Sequence, residues 1–513
     1  MAIKLSGMIS GMDTESMVAE LMKAQNLKKT KVQNQITTTQ WTQDKWKDLN
    51  SKIYSFYTGD LSKLRLQSSF NTIKASSSDE SKVTITANNN ASQGTNTLFI
   101  KQLAKSQTVT GDVLAADKNG KAVTTSTKLV DLGLTADPDN LIKVTVGGKE
   151  KSIEIEAGTT IAGLVQKFKD AGLNANYDAT QKRFFLSSKN SGTENAFSLT
   201  SSGDVDLAAL GLNDLSASNG VVTVSGSAHS VVIQPSDAKV MFNGAELVSS
   251  SNTMTVNGIT MTLKGASAGA NTADPSDDVV TNLNITRDTQ AAYDMVKNFI
   301  KTYNDLLTEM TGDYEAPSAK GYSPLTDDQK ESMTDTQIEQ WETKIKNALL
   351  RRDNNLSAIM NSMRSSFNDS VTIDGKKYSL ASLGIGSVNY TEKGVLHING
   401  DADDKLTSGK TNDLMSMLTS DPDKVMKVMS GLADKLYTSL SDSMRSSSVR
   451  SAFTLYNDKE LSKQLTGYQS NLKDLEKKLN DVENRYYKQF SAMESAMAKL
   501  NSQSSSLASL LGK

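Results

Sequence analysis

Cysteine is absent from this 513-residue chain. That excludes disulfides, thiolate catalysis and cysteine-ligated zinc or iron–sulfur sites. Histidine is scarce as well: His229 and His397 are the whole supply, leaving little scope for imidazole acid–base or metal chemistry. Neither sign of charge prevails, since 56 Lys and Arg stand against 58 Asp and Glu for a net charge of −2. Such a balance offers nucleic acid or an anionic membrane no electrostatic hold. No apolar run approaches the ~20 residues that cross a bilayer, so membrane insertion is not expected. Residues Met1–Met12 also lack the continuous apolar stretch of a cleaved secretory signal.

The rest of the composition is polar. Apolar residues make up 37% and aromatics 6%, with a mean hydropathy of −0.41. That is thin for a globular core but not low enough for a disordered chain. A chain of this length exceeds one hydrophobic core, and about three or four domains are expected.

Helical signals concentrate at the two ends. Asp13 is a candidate N-cap, with Glu15 placed favourably in the first turn. From there Val18, Leu21, Val32, Trp46, Leu49, Ile53 and Phe56 fall on one seven-residue grid. The same grid also holds Gln25, Lys28, Gln35, Thr39 and Thr42, a seam too polar to hold a helix without partners. The C-terminal end is stronger. Leu461, Leu465, Tyr468, Leu472, Leu475, Leu479, Val482 and Tyr486 alternate steps of four and three. After one additional four-residue step the pattern resumes at Phe490, Met493, Met497, Leu500, Leu507 and Leu511. This 3.5-residue repeat predicts a coiled coil with one stutter, a rod on the order of 75 Å long, interrupted only at Gly467.

Between the ends the pattern turns to β. Short β-branched runs predict strands at Lys82–Ala87, Thr97–Leu103, Arg183–Ser187, Val221–Val224, Val231–Gln234 and Val240–Phe242. Gly147-Gly148 joins Ile142–Val146 to Ser152–Glu156, and Asn257-Gly258 joins Thr253–Val256 to Ile259–Leu263, as hairpins. A short helix is expected over Thr160–Ala171. Beyond Pro275 helices return, starting at Asp288, over Asp335–Asn347, through Leu356, Ile359 and Met363, and from Asp421-Pro422 to Leu440. The expected fold class is multidomain α+β: a terminal coiled-coil stalk, a helical leg, and β-rich heads inserted in the middle. In residue terms the stalk is 1–40 with 455–513, and the mainly helical leg is 41–69 with 288–454. One β-rich head is 70–110 with 234–287, and a distal one is 111–233.

Motifs with catalytic or metal-binding chemistry are weak. Gly265-Ala266-Ser267-Ala268-Gly269 matches a nucleophile elbow, but a Pro-containing polar loop follows where the turn needs a helix. Asp401, Asp403 and Asp404 could face a cation, yet the distal Glu of a calcium loop is missing, so a solvated turn is the expectation. His229 and His397 sit in strand-like contexts with no second ligand at metal spacing. No catalytic residue, cofactor or metal is therefore assigned. The 20 Met residues read either as core filler or as an adaptable protein-binding surface.

At the N-terminus, Gly7-Met8-Ile9-Ser10-Gly11-Met12-Asp13-Thr14-Glu15-Ser16-Met17-Val18, continuing to Leu21-Met22, resembles the start of flagellar filament cap proteins, also called hook-associated protein two. Gly94–Ala104 looks like the end of that family's N-terminal region. Val240–Leu263, Arg287-Asp288-Thr289 with Tyr303-Asn304, and Phe490–Gln503 follow in the family's order. Residues 140–200 look like an insertion motif that recurs in flagellin and hook-associated proteins. The chain departs from the family at Tyr322-Ser323-Pro324-Leu325, which leads into a helix containing Trp341.

The resemblance implies a homo-oligomeric ring of four to six copies, a pentamer being the expected number, at the extracellular tip of the bacterial flagellum. There it would cap the filament and promote flagellin folding and insertion, preventing loss of exported monomers. Other implied partners are the hook–filament junction protein and a cytoplasmic export chaperone, with export through the flagellar type III apparatus and no cleaved signal. Candidate oligomer- and flagellin-binding residues are Met8, Met12, Asp13, Met17, Leu21, Met22, Phe490, Met493, Met497, Leu500, Leu507 and Leu511. Competing readings are a surface adhesin whose head binds host mucin or glycans, and a filament subunit.

Overall fold

The computed structural model describes residues 13–269 and 279–511. In chain order, helices α1 (Thr14–Thr58) and α2 (Asp60–Arg65) come first. Strands β1 (Ile73–Ser77), β2 (Val83–Ala87), β3 (Gly94–Gln102), β4 (Thr108–Thr110), β5 (Asp137–Val146) and β6 (Lys149–Ile155) follow. After α3 (Ile161–Asp170) come β7 (Leu173–Asp178), β8 (Arg183–Ser188), β9 (Phe197–Ser202), β10 (Asp214–Ser218), β11 (Val221–Ser225) and β12 (Val231–Ile233). The β region closes with β13 (Ala238–Phe242), β14 (Ala245–Ser249), β15 (Thr253–Val256), β16 (Ile259–Leu263) and β17 (Thr281–Arg287). Helices α4 (Thr289–Tyr314), α5 (Asp327–Glu331), α6 (Asp335–Asn347), α7 (Asn354–Asn368), α8 (Asp413–Ser420), α9 (Pro422–Ser443) and α10 (Asp458–Leu511) complete the chain, with two small hairpins between α7 and α8.

The chain divides into two compact units, one of residues 1–70 with 289–513 and one of 71–288. It is an α+β protein with helical ends and an inserted β region.

Unit 1 has a single core. It gathers Trp46, Leu49, Ile53 and Phe56 of α1, Phe299 and Tyr303 of α4, Met363 and Phe367 of α7, and Leu432 and Leu436 of α9. Trp46 is almost wholly buried and stacks on Tyr456, with ring centroids 5.3 Å apart and planes within 8°. Helix α1 is one unbroken element of 45 residues, passing through residue 40 without a joint. Helix α10, of 54 residues, likewise runs straight through Gly467, which does not interrupt it; one glycine costs only about 1 kcal/mol against the rest of a long helix. The segment after Tyr322 folds onto α6. Trp341 Nε1 donates to the Ser323 carbonyl at 2.9 Å, and the Tyr322 and Trp341 rings lie 4.6 Å apart.

Unit 2 has two cores. The first lies between the five-stranded sheet β1-β17-β3-β13-β14 and the three-stranded sheet β15-β16-β2, and it is filled by Val83, Leu98, Ile100, Val240, Met261, Leu283 and Ile285. The second is enclosed by β11-β10-β9-β5-β6, β12-β4-β8-β7 and α3, with Ile142, Leu164, Phe168, Phe184, Phe197 and Leu199 inside. The hairpin turns follow from local chemistry. At Asn219-Gly220, Asn243-Gly244, Asn257-Gly258 and Asp374-Gly375 both residues have positive φ, the type I′ geometry that Asn/Asp-Gly pairs reach at least cost.

Ser267 braces this sheet. Its hydroxyl oxygen accepts the Ile100 N–H at 2.9 Å, and its own N–H donates to the Ile100 carbonyl at 2.9 Å. The side chain is 6% exposed, so the G-x-S-x-G match is a structural turn; residues 270–278, the expected loop after it, lie outside the described residues. Replacing Ser267 with Ala should strand the Ile100 N–H and destabilise unit 2 by about 1–3 kcal/mol. Urea unfolding of the Ser267→Ala variant measures this.

Candidate functional site: the paired terminal helices

Helices α1 and α10 lie against each other in antiparallel register. Lys29 Nζ meets Glu476 at 3.1 Å, Gln43 Nε2 meets the Ser462 hydroxyl at 3.4 Å, and Leu455 N donates to Asn50 Oδ1 at 2.9 Å. As residue numbers rise on one helix they fall on the other.

The pair is incompletely covered. On α10 the whole run Leu461, Leu465, Tyr468, Leu472, Leu475, Leu479, Val482, Tyr486 and Phe490 is only half-buried. An a/d seam in a finished coiled coil is enclosed on both sides, so one partner helix leaves this seam half open. On α1 the polar grid positions behave as their chemistry requires. Gln25 and Lys28 are exposed, whereas Thr39 and Thr42 satisfy their hydroxyls within the helix, on Gln35 O at 2.7 Å and Thr38 O at 2.8 Å.

At the outer end the candidate residues separate into two groups. Val18 and Met22 face inward at 2% and 8% exposure. Met17, Leu21 and Met493 stand about two-fifths exposed, and Leu500 and Leu507 more than half. Phe490 and Met497 are half-buried. Leu21 is a correction: the seven-residue grid puts it inward, but Met22 occupies that face. Asp13 caps α1, accepting the Ser16 N–H at 3.0 Å and the Ser16 hydroxyl at 2.6 Å. Those hydrogen bonds hold its carboxyl below the ordinary value. Met8 and Met12 lie outside the described residues, as does the side chain of Leu511. Spacing missed Leu27, 70% exposed, and the buried Thr14 and Glu494; Leu27 sits off the seven-residue grid and was legible only as an isolated apolar residue.

The other clusters are structural. Lys297 Nζ bridges Asp401 at 2.5 Å and Asp403 at 2.6 Å, so the acidic turn is pinned to α4 rather than simply solvated. His397 is largely enclosed, with Nδ1 at 2.5 Å from Asp404 and Nε2 at 3.0 Å from Glu392. Carboxylates on opposite sides of the ring make it a hydrogen-bonded brace that ties two turns together. His229 is 91% exposed and lies in a loop, not a strand. For Asp404, burial raises the carboxyl pKa, but hydrogen bonds from His397, Leu406 and Thr407 outweigh it and leave the group below the ordinary 3.8. A folded-state pKa below the unfolded one adds stability above pH 3.8, lost as pH falls through the folded value. Unit 1 should therefore lose some stability as pH falls below about 4, and Asp404→Asn should remove part of that pH dependence. Scanning calorimetry across pH 2.5–7 checks this prediction, with the range set around the usual carboxylate pKa of about 4.

Among the described residues no helix is long and apolar enough to cross a membrane. Two family models match in sequence order: the flagellar hook-associated protein 2 N-terminus over residues 10–107 and its C-terminus over 235–502. Together they take in α1, α10 as far as residue 502, and more than half of the chain. The chain belongs to the flagellar hook-associated protein 2 family, the flagellar cap proteins. It is similar to flagellar hook-associated protein 2 of Halalkalibacterium halodurans, 27% identical over 98% of this chain and 99% of the relative. It is also similar to that of Escherichia coli K12, 25% identical over 99% and 97%. In fold it resembles the crystal structure of the D1-D2-D3 domains of the Escherichia coli flagellar cap protein, with a TM-score of 0.54 at 20% identity, covering 83% of this chain and 99% of that one.

Proposed function

We propose that this chain caps the distal end of the bacterial flagellar filament as a homo-oligomeric ring, retaining exported flagellin and promoting its folding and insertion. The observation that carries the reading, beside family membership, is the half-open α10 seam. A 54-residue helix with apolar positions left part-covered is built to receive further helices. In this reading the paired ends form the stalk, the rest of unit 1 the leg, and unit 2 the two β-rich heads, one around each of its cores.

Binding to flagellin and to neighbouring copies is assigned to Met8, Met12, Asp13, Met17, Leu21 and Met22 at one end. At the other it is assigned to Phe490, Met493, Met497, Leu500, Leu507 and Leu511. Val18 and Met22 already pack inward, so in this scheme Met22 supports the surface that Met17 and Leu21 present. The hook–filament junction protein and an export chaperone complete the partners, and export runs through the flagellar type III apparatus. The role is structural and non-catalytic. Immunogold labelling of whole cells tests the placement: gold at filament ends is the expected pattern. Gold along the filament shaft, or confined to the cytoplasm, would overturn it.

A further inference from the structure

We propose that in the free chain residues 1–12 fold back along α10, filling a groove between the outer parts of α1 and α10 and placing Lys4 beside Glu483. The proposal goes beyond the capping reading and concerns the chain before it meets any partner.

The chemistry of the groove defines what fits it. It holds about 450 Å³, and Val18, Ala19, Met22 and Leu479 give it an apolar floor. Glu15, Glu476 and Glu483 stand in its walls against Lys29, and Lys29 is already engaged by Glu476 at 3.1 Å. By count the walls are net negative over an apolar floor. A complementary piece of chain carries apolar side chains and a cation, and no acid.

Residues 1–12 have that composition. Ile3, Leu5, Met8, Ile9 and Met12 supply apolar groups, and Lys4 is the one charged side chain. They are also tethered at the right point, since Asp13 caps α1 at the outer mouth of the groove. A short tether holds a segment near its site at an effective concentration on the order of mM. The length suffices as well. In the antiparallel register set by Lys29 and Glu476, Glu483 lies level with Met22, about 14 Å along the pair from Asp13. The chain from Lys4 to Asp13 reaches up to about 30 Å when extended.

The tip of the helix pair supplies an independent observation. Thr14, the first residue of α1, is 1% exposed, and Glu494 of α10 is 8% exposed. In the same register Thr14 stands opposite residue 491, so both lie where the pairing ends. Two helices alone leave such an end open to water, and a buried carboxylate needs both cover and a partner. Glu494 shares one face of α10 with Tyr487 and Glu483, at steps of seven and four. The chain that precedes Asp13 is the piece in reach of that face. On the capping reading above, Met8 and Met12 are then withheld in the free chain and presented only when a partner displaces the segment.

Because the chain has no cysteine of its own, a cross-link locates the segment. Dilute full-length chain carrying Lys4→Cys and Glu483→Cys should close an intramolecular disulfide on mild oxidation. Lys4→Cys with Arg485→Cys, about 160° around α10 from residue 483, should not. A second readout leaves residues 1–12 unaltered. Trypsin should cut after Lys4 at least about tenfold faster in Glu483→Arg than in the unsubstituted chain, because cleavage follows the open population. Cutting after Lys23, inside α1, should keep its rate and shows that the helix pair is intact. Equal cross-linking at residues 483 and 485 would overturn the proposal, as would an unchanged rate at Lys4. Either result leaves the capping reading standing.

Discussion

Replacing Trp46 with alanine should cost unit 1 about 3–5 kcal/mol and leave unit 2 at its original stability. The indole is 1% exposed and packs face-to-face on Tyr456, fixing α1 to the start of α10. Truncation would leave a cavity where α1 meets the unit 1 core, which cannot collapse because rigid helices surround it. The units have separate cores, so the loss has no route into the β region. All three tryptophans, Trp41, Trp46 and Trp341, belong to unit 1. Fluorescence thus reports that unit even after one is removed, and circular dichroism follows both. The expected result is a fluorescence midpoint at markedly lower denaturant, with a second dichroism transition unmoved. A joint shift of both transitions would show that the units unfold as one.

The opposite behaviour is expected at the free end of α10. Leu500 and Leu507 are 63% and 57% exposed, so Leu500→Asp with Leu507→Asp should change stability by no more than about 0.5 kcal/mol. In cells lacking the natural gene, the double variant should nevertheless fail to support filament growth, because the charges occupy a surface assigned to flagellin. Normal filaments with this variant would remove the outer third of α10 from the proposed interface. A large drop in thermal midpoint would show instead that these leucines are buried in the free protein.

What the sequence revealed and what it hid divide along physical lines. The α10 coil was legible because its apolar repeat is dense enough to fix a period. In α1 the grid holds from Trp46 to Phe56 but misplaces Leu21. Between Met22 and Trp46 only Val32 is a buried apolar residue, so nothing in that stretch ties the register of one end to the other. Hairpins were legible where turn chemistry is local: β15–β16 begins and ends where Asn257-Gly258 predicts. Asn219-Gly220 and Asn243-Gly244 carry the same signal and would have yielded β10–β11 and β13–β14.

Strands β1 and β17 escaped notice because their pairing joins Ile73 to Arg287, and partners so distant leave no mark in a single sequence. The His397 brace was hidden for a different reason: its partners are near in sequence, but at spacings of five and seven that match no motif. Its imidazole reads as ordinary until folding places Glu392 and Asp404 on either side. At the candidate site, spacing identified the exposed apolar ends but not how much of the seam the partner helix leaves open. That quantity exists only once the two helices are paired.

Deleting the gene in its flagellated host and locating the flagellin tests the capping role most directly. The account predicts hooks without filaments and unpolymerised flagellin in the medium, restored to filaments when the intact gene is returned. Filaments of normal length on the deleted strain would contradict it.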